Sequence, residues 1–201
     1  MPVENGGGGL QPFWEDGSKG SKKNEPIMIF GGSSSVGQFG IQISLWNSRR
    51  ELIVSQVIQI AKYMSFSPII TTSSTQHVAY LQSLGATHVI DRHCANVSHC
   101  IKAIMHESFA GFSLIFDAVH TPITQAEVDL LAPGGLVVVI WPLPTGDRAL
   151  NWIDGRRGSH VFGSVHLHPE YGVGMYQRLE EFLAKEIIKV HLYLLAIIRE
   201  L

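Results

Sequence analysis

The sequence predicts an α/β fold: a doubly wound, mostly parallel sheet of about six strands with helices on both faces. Short apolar runs alternate with stretches that are compatible with helix, which is the pattern of repeated βαβ units. The runs are continuously apolar and do not alternate between apolar and polar residues, as expected for strands that are buried on both sides. The first run also ends on glycines and leads into a helix-compatible stretch.

The first half of the chain supplies three of the predicted strands. Ile27–Phe30 is a short apolar run that ends on glycines, and Pro68–Thr72 reads as the second strand. A helix is expected over His77–Leu84, closed by Gly85 in a left-handed C-terminal cap. His88–Asp91 then gives the third strand.

The second half continues the same alternation. A polar helix is expected over about Val97–Glu107, followed by a fourth strand at Ser113–Asp117. The turn Pro133–Gly135 precedes a fifth strand at Gly135–Trp141, and His160–His166 is the candidate for a sixth.

Composition limits the partners of the chain. Its 201 residues suit one ordinary domain, and a net charge of -2 gives no electrostatic case for nucleic acid or an anionic membrane. We expect a small-molecule partner. The two cysteines, Cys94 and Cys100, lie outside any C-x-x-C pair, so no disulfide framework is expected and a reducing compartment is favoured. With no signal peptide or membrane segment in view, the expected location is the cytoplasm.

The turn after the first strand has the character of a phosphate-binding loop. It reads Gly31-Gly32-Ser33-Ser34-Ser35-Val36-Gly37, so Gly32 and Gly37 frame a G-x-G-x-x-G pattern with serine in the central glycine position. Glycines let backbone amides approach a pyrophosphate, and a helix N-terminus adds unsatisfied N–H groups and a positive dipole end. The position between strand and helix predicts a Rossmann dinucleotide-binding unit.

Neighbouring residues separate the alternatives for this loop. A nucleoside-triphosphate loop needs Lys followed by Ser or Thr where this chain has Gln38 and Phe39, which excludes it. A methyltransferase-like domain stays open, since Leu131–Gly135 would suit it. That class and NAD enzymes normally place an acid after the second strand, whereas this chain has Thr71–Ser74. Small hydroxyls leave room for a 2′-phosphate, so NADPH is the predicted cofactor, and His77 is a candidate helper.

Spacing indicates an insertion in the first helix. The ribose-reading position should follow the loop by about 20 residues, but Thr72 lies 40 residues after Gly32. We therefore divide the chain into a flexible leader or linker remnant at 1–25, a Rossmann domain at 26–189 with an insertion at 43–57, and an atypical tail at 190–201.

Four stretches taken together indicate a family. They are the glycine loop, Ile69–Ser74, Leu84–Asp91 and Leu130–Gly135, and they resemble medium-chain dehydrogenase/reductases, most closely zinc-independent quinone oxidoreductases and trans-acting enoyl reductases. The resemblance implies NADPH-dependent hydride transfer to an activated double bond or carbonyl. It also implies a GroES-like barrel domain that shapes the substrate pocket, which we expect to be absent from this chain.

Site residues follow from the resemblance by position. Gly32, Ser34, Ser35, Val36 and Gly37 would face the pyrophosphate, and Thr72, Ser73 and Ser74 the adenosine ribose with its 2′-phosphate. The nicotinamide side would be lined from two further strand ends, by Asp117, Ala118, Val119 and Ile140. For Val119 and Ile140, packing in the core is an equally good interpretation.

Three functional hypotheses remain open at this level. The first is a reductase that acts on a carbonyl, enone or acyl substrate once a homo-oligomer or synthase partner completes its site. The second is a nucleotide-binding module without turnover. The third is a truncated gene product in which 43–57 is retained non-coding sequence. No metal is expected, because His160, His166 and His168 do not by themselves fix a coordination shell.

Overall fold

The computed structural model of the chain describes residues 8–33, 57–105, 107–119, 123–139, 150–160 and 169–189. Its strands are β1 (Ile27–Phe30), β2 (Ile69–Ser73), β3 (His88–Asp91), β4 (Phe112–Asp117), β5 (Leu131–Val139) and β6 (Arg157–His160). The helices are α1 (residues 57–63), α2 (Val78–Leu84), α3 (Val97–Ile104), α4 (Gln125–Asp129) and α5 (Pro169–Ala184). A 3₁₀ turn, Thr75–His77, leads into α2.

The six strands form one parallel sheet in the order β3-β2-β1-β4-β5-β6. The order reverses between β1 and β4, which are direct neighbours with Phe30 opposite Asp117. In open α/β sheets, ligands bind outside the carboxyl ends of the strands at such a switch point. The doubly wound Rossmann sheet predicted from the sequence is confirmed.

Both faces of the sheet are covered by helices. Met28 and Phe30 of β1 pack in a buried cluster with Ile101 of α3 and Val128 of α4. The alternate residues of β1, Ile27 and Ile29, point to the other face and pack with α1 and α2 through Ile58, Ala61, Leu81 and Leu84. All four side chains of β1 are buried, which explains why the sequence shows a continuous apolar run at this strand.

The predicted second strand is displaced by one residue, the predicted fourth begins one residue late, and the starts of the fifth and sixth are wrong by three or four residues. The strand β5 begins at Leu131, not at Gly135, and includes Pro133 and Gly134 as an irregularity, because Leu131 already pairs with Phe112 of β4 before the register shifts. The strand β6 begins at Arg157 and not at His160, because Arg157–His160 pair in parallel with Leu136–Val139 of β5. Trp141 and residues 161–166 lie outside the described residues.

The segment before β1 folds back onto the domain over its described part, residues 8–25. The Phe13 ring packs against Phe182 of α5 at a centroid distance of 5.6 Å, and the Trp14 ring against Tyr171 at 6.5 Å. Backbone hydrogen bonds tie the segment to the end of α1, including one of 2.9 Å from the Lys22 amide to the Met64 carbonyl. The division of the chain into leader, domain and tail stays a prediction.

Candidate cofactor site

A cleft of about 390 Å³ opens at the carboxyl ends of four adjacent strands. We call it the carboxyl-end cleft. Its lining residues come from the ends of β1 and β2, the turns after β1, β2, β3 and β4, and the start of α3, and they are Phe30, Gly31, Ser33, Thr72, Ser73, Ser74, Arg92, His93, Val97 and Val119. The cleft therefore lies at the switch point of the sheet, where parallel sheets bind dinucleotides.

The glycine turn after β1 is folded tightly against β2. Gly31 has a φ of 78°, a backbone conformation that residues other than glycine rarely adopt. The next residue, Gly32, is needed for space, since a Cβ at this position would overlap the Thr71 side chain. The Thr71 hydroxyl cannot easily move away because it is buried and donates to the Ile29 carbonyl at 2.7 Å.

Two hydroxyls predicted to face the ribose also hold the loop in place. The Gly31 amide donates to Oγ1 of Thr72 at 2.9 Å, and the Gly32 amide donates to the Thr72 carbonyl at 2.9 Å. The hydroxyls of Ser33 and Ser73 are hydrogen-bonded to each other, and the Ser73 hydroxyl also reaches the Ser74 carbonyl at 3.2 Å. Thr72 and Ser73 are buried, so their first role in this structure is to join the loop to β2.

The end of β4 contributes differently. Asp117 is buried, and its Oδ1 accepts a 2.8 Å hydrogen bond from the Val119 amide, which turns the chain out of the strand. Ala118 is buried in the cluster on the α1 and α2 face. Val119 is 46% exposed and lines the carboxyl-end cleft, so an exposed apolar side chain stands beside the glycine turn.

The sequence-predicted site residues are thus brought together in part. Thr72, Ser73, Ser74 and Val119 line the cleft, and Gly32 lies within the turn that forms its wall. Ser34, Ser35, Val36, Gly37 and Ile140 lie outside the described residues. Their contacts with a cofactor stay a prediction.

Sequence analysis missed Arg92 and His93, which line the cleft from the turn after β3. The Arg92 amide donates to the Ser73 carbonyl at 2.9 Å, which places this turn beside the end of β2. The carboxyl ends of parallel strands meet at one edge of the sheet. The residues directly after the predicted third strand could therefore have been identified as candidates for the site. His77, the candidate helper, lies outside the cleft lining and is hydrogen-bonded to Gln76.

The turn after β3 is closed by a second feature that the sequence did not predict. Cys94 and Cys100 are joined by a disulfide that links the turn to α3. Asn96, between them, caps α3 by accepting a 2.9 Å hydrogen bond from the His99 amide. The expectation of no disulfide framework is corrected to this extent: one local disulfide is present beside the cleft.

Two absences hold for the part of the chain that the structure describes. No group of three or more His, Cys, Asp or Glu side chains is arranged to hold a metal ion there. Among the same residues, no helix combines the length and the apolar character needed to cross a membrane.

Comparisons with known proteins identify the family of the chain. Residues 54–183 match the family named zinc-binding dehydrogenase. A zinc-type alcohol dehydrogenase-like protein of Schizosaccharomyces pombe is 26% identical over 185 residues, covering 86% of this chain and 48% of that protein. A trans-enoyl reductase of Aspergillus japonicus is 29% identical over 131 residues, covering 62% of this chain and 32% of the reductase. The chain therefore spans about half or less of the length of these relatives.

Solved structures show the same fold. A quinone oxidoreductase of Pseudomonas syringae pv. tomato matches with a TM-score of 0.62 at 20% identity, covering 84% of this chain and 48% of the other. The quinone oxidoreductase of Coxiella burnetii matches with a TM-score of 0.55 at 18% identity, covering 85% of this chain and 44% of the other. The family match decides against the methyltransferase alternative, and the resemblance to medium-chain dehydrogenase/reductases is confirmed. This chain belongs to the zinc-binding dehydrogenase family and forms a Rossmann domain of the medium-chain dehydrogenase/reductase type.

Proposed function

We propose that this chain is the NADPH-binding domain of a reductase that transfers a hydride to an activated double bond or carbonyl. The observation that carries the proposal is the carboxyl-end cleft, which joins a glycine turn to hydroxyl side chains at the switch point of a parallel sheet. The family match supports an oxidoreductase domain, and the relatives named as enoyl and quinone reductases support this type of acceptor.

The residues of the cleft fit the adenosine half of such a cofactor. The turn at Gly31 and Gly32 keeps side chains away from the end of β1, so the backbone can approach a phosphate. Thr72 accepts from the Gly31 amide and retains its hydroxyl proton, which it can donate to a ligand oxygen. The end of β2 carries no acid, which favours a phosphorylated ribose over a ribose with two free hydroxyls.

NADPH supplies the hydride when it is bound, and the protein contributes binding and orientation. In this chain the exposed Val119 would lie on the nicotinamide side, at the end of β4 beside the glycine turn. We propose that a carbonyl, enone or acyl substrate is held there against a second surface. A homo-oligomer or a synthase partner would supply that surface.

Binding and turnover are tested separately. Titration of the purified chain with NADPH, followed by calorimetry or by quenching of tryptophan fluorescence, should give saturable binding with a Kd on the order of 1–100 μM. Enone-dependent oxidation of NADPH, followed by absorbance, then tests catalysis. Saturable binding without oxidation would support the non-catalytic nucleotide-binding module, and absence of binding to NADPH and NADH would contradict both interpretations.

A further inference from the structure

The turn after β3 presents a cation to the cofactor cleft at a fixed position. Ser73 and Asp91 are opposite each other in the β2–β3 register. One residue later, the Arg92 amide donates to the Ser73 carbonyl at 2.9 Å, so Arg92 is held directly beside the end of β2. The strand ends therefore bring the backbone of Arg92 next to Ser73, and both residues line the cleft together with Ser74.

The acid in this turn is directed into the turn itself. Oδ1 of Asp91 accepts a 2.9 Å hydrogen bond from the His93 amide, which shapes the bend between β3 and the residues that follow. Asp91 is not among the residues that line the cleft, whereas Arg92 and His93 are. Arg92 of this turn therefore lines the cleft, and the Asp91 carboxylate does not.

The Arg92 guanidinium is oriented by its neighbour and keeps donors available. Its Nε donates to Nε2 of His93 at 3.1 Å. Across the described residues, no hydrogen bond or ion pair engages its two terminal nitrogen atoms. A guanidinium with two parallel donors is matched to phosphate geometry, and such charge-assisted bonds are about twice as strong as neutral ones.

We propose that Arg92 is the specificity-determining residue that binds the 2′-phosphate and selects NADPH over NADH. This inference rests on the proposed function, and it assigns the discrimination to the end of β3. The hydroxyls of Thr72 and Ser73 are small, uncharged and already hydrogen-bonded to the glycine loop, so Arg92 supplies the positive charge that attracts the phosphate.

The test compares Arg92→Gln with the unchanged chain for two ligands that differ only in the 2′-phosphate. Arg92→Gln should raise the Kd for NADPH about 10- to 100-fold, because a hydrogen bond to a charged group is lost. The Kd for NADH should change less than about 3-fold, since the ordinary ribose offers no phosphate to the guanidinium. Arg92→Lys, which retains the charge without the fork, should lie between these variants.

Two controls make the result specific. Arg157→Gln removes an equal charge from an exposed position at the start of β6 and should leave both dissociation constants unchanged. Competition of NADPH with 2′,5′-ADP and with 5′-AMP tests binding of the adenosine end alone. Arg92→Gln should weaken the binding of 2′,5′-ADP and leave the binding of 5′-AMP unchanged. Circular dichroism verifies that each variant is folded.

The results that would contradict the role of Arg92 differ from the result that would contradict the proposed function. If Arg92→Gln weakens NADPH and NADH equally, Arg92 contacts a part shared by both cofactors, and the assignment to the 2′-phosphate is overturned. If Arg92→Gln leaves NADPH binding intact while Asp91→Asn weakens NADH, the turn reads the ribose through its acid, which also overturns the assignment. Either result leaves dinucleotide binding standing, whereas an unchanged chain that binds neither cofactor overturns the proposed function itself.

Discussion

Two cavities among the described residues differ in the polar groups that line them, and the smaller of these two is the candidate site. The carboxyl-end cleft measures about 390 Å³, and its lining combines hydroxyls, a glycine, Arg92 and His93 with three apolar residues. The other, which we call the apolar cavity, measures about 650 Å³ and is bounded by residues 8–14, Lys22, α1 and the sheet face at Leu114 and Phe116. Volume alone would select the apolar cavity. The placed polar groups and the switch point select the cleft.

The comparison predicts that the two cavities can be perturbed independently. The apolar cavity depends on apolar packing between residues 8–14, α1 and α5, whereas the cleft depends on hydrogen bonds between β1, β2 and the turn after β3. Variants of the first kind should change stability without changing cofactor affinity. Variants of the second kind should change both.

The largest effect on stability is expected for Phe182→Ala. The Phe182 ring is 2% exposed and packs against Phe13 and Tyr63 beside the apolar cavity, with ring centroids 5.6 and 5.4 Å away. Its truncation should lower the free energy of unfolding by about 3–5 kcal/mol, measured by urea denaturation. Phe182→Leu should lower the free energy of unfolding by clearly less than Phe182→Ala. A changed Kd for NADPH in the folded Phe182→Ala protein would show that the two regions are coupled.

Gly32→Ala should disrupt the carboxyl-end cleft. The new methyl group overlaps the Thr71 side chain, so the turn or β2 must shift, at a cost of about 1–3 kcal/mol in the free energy of unfolding. Displacement of the turn should raise the Kd values for NADPH and NADH alike by about 100-fold, which is the effect expected when the groups that position a ligand move by about 1 Å.

The overlap with Thr71 can be tested by a double-mutant cycle. Thr71→Ala alone removes the hydrogen bond to the Ile29 carbonyl and should cost about 1 kcal/mol in stability. Combined with Gly32→Ala it should restore part of the cofactor affinity, because it makes room for the methyl group. Strict additivity of the two variants would contradict the steric explanation.

Thr72→Val should have a smaller effect and should not discriminate between cofactors. The substitution keeps the shape of the side chain but removes the acceptor of the Gly31 amide, leaving a donor without its partner at a cost of about 1 kcal/mol. The Kd values for NADPH and NADH should therefore rise by the same factor, in contrast to the selective loss of NADPH affinity expected for Arg92→Gln. Thr72→Ser keeps the hydroxyl and is the matched control.

Two strands that carry a local sequence signal were predictable to the residue. The strands β1 and β3 coincide with the predicted ranges Ile27–Phe30 and His88–Asp91, since short apolar runs bounded by glycine or polar residues mark their ends. The strand β6 reads Arg-Gly-Ser-His, which carries no apolar signal. It is a strand because β5 offers it an edge, and such pairing depends on the tertiary structure.

The candidate site was predictable to the extent that it is local in sequence. The glycine turn and the hydroxyls after β2 are continuous motifs, and their types suggested a phosphate without an opposing acid. That Thr72 and Ser73 also anchor the loop depends on contacts across about 40 residues, which spacing does not reveal. Arg92 was missed for the same reason, because its relation to Ser73 exists only through the β2–β3 register.

The smallest expected effect concerns the charges on α5, on the side of the apolar cavity. A 2.6 Å hydrogen bond from Nζ of Lys185, together with its charge, lowers the pKa of Glu181 below its ordinary value of 4.5, and Arg178 acts in the same direction. A carboxyl with a lowered pKa in the folded state stabilises the fold above its unfolded pKa, and this contribution is lost as the pH falls through the folded-state value. Glu181→Gln should therefore lower Tm slightly at pH 7, and the difference in Tm should disappear once the pH has fallen through the lowered folded-state pKa of Glu181. Both side chains are exposed, so the difference at pH 7 should also disappear in about 1 M NaCl. A difference that persists at low pH or in high salt would show that Glu181 contributes by packing, and NADPH affinity should be the same in both proteins throughout.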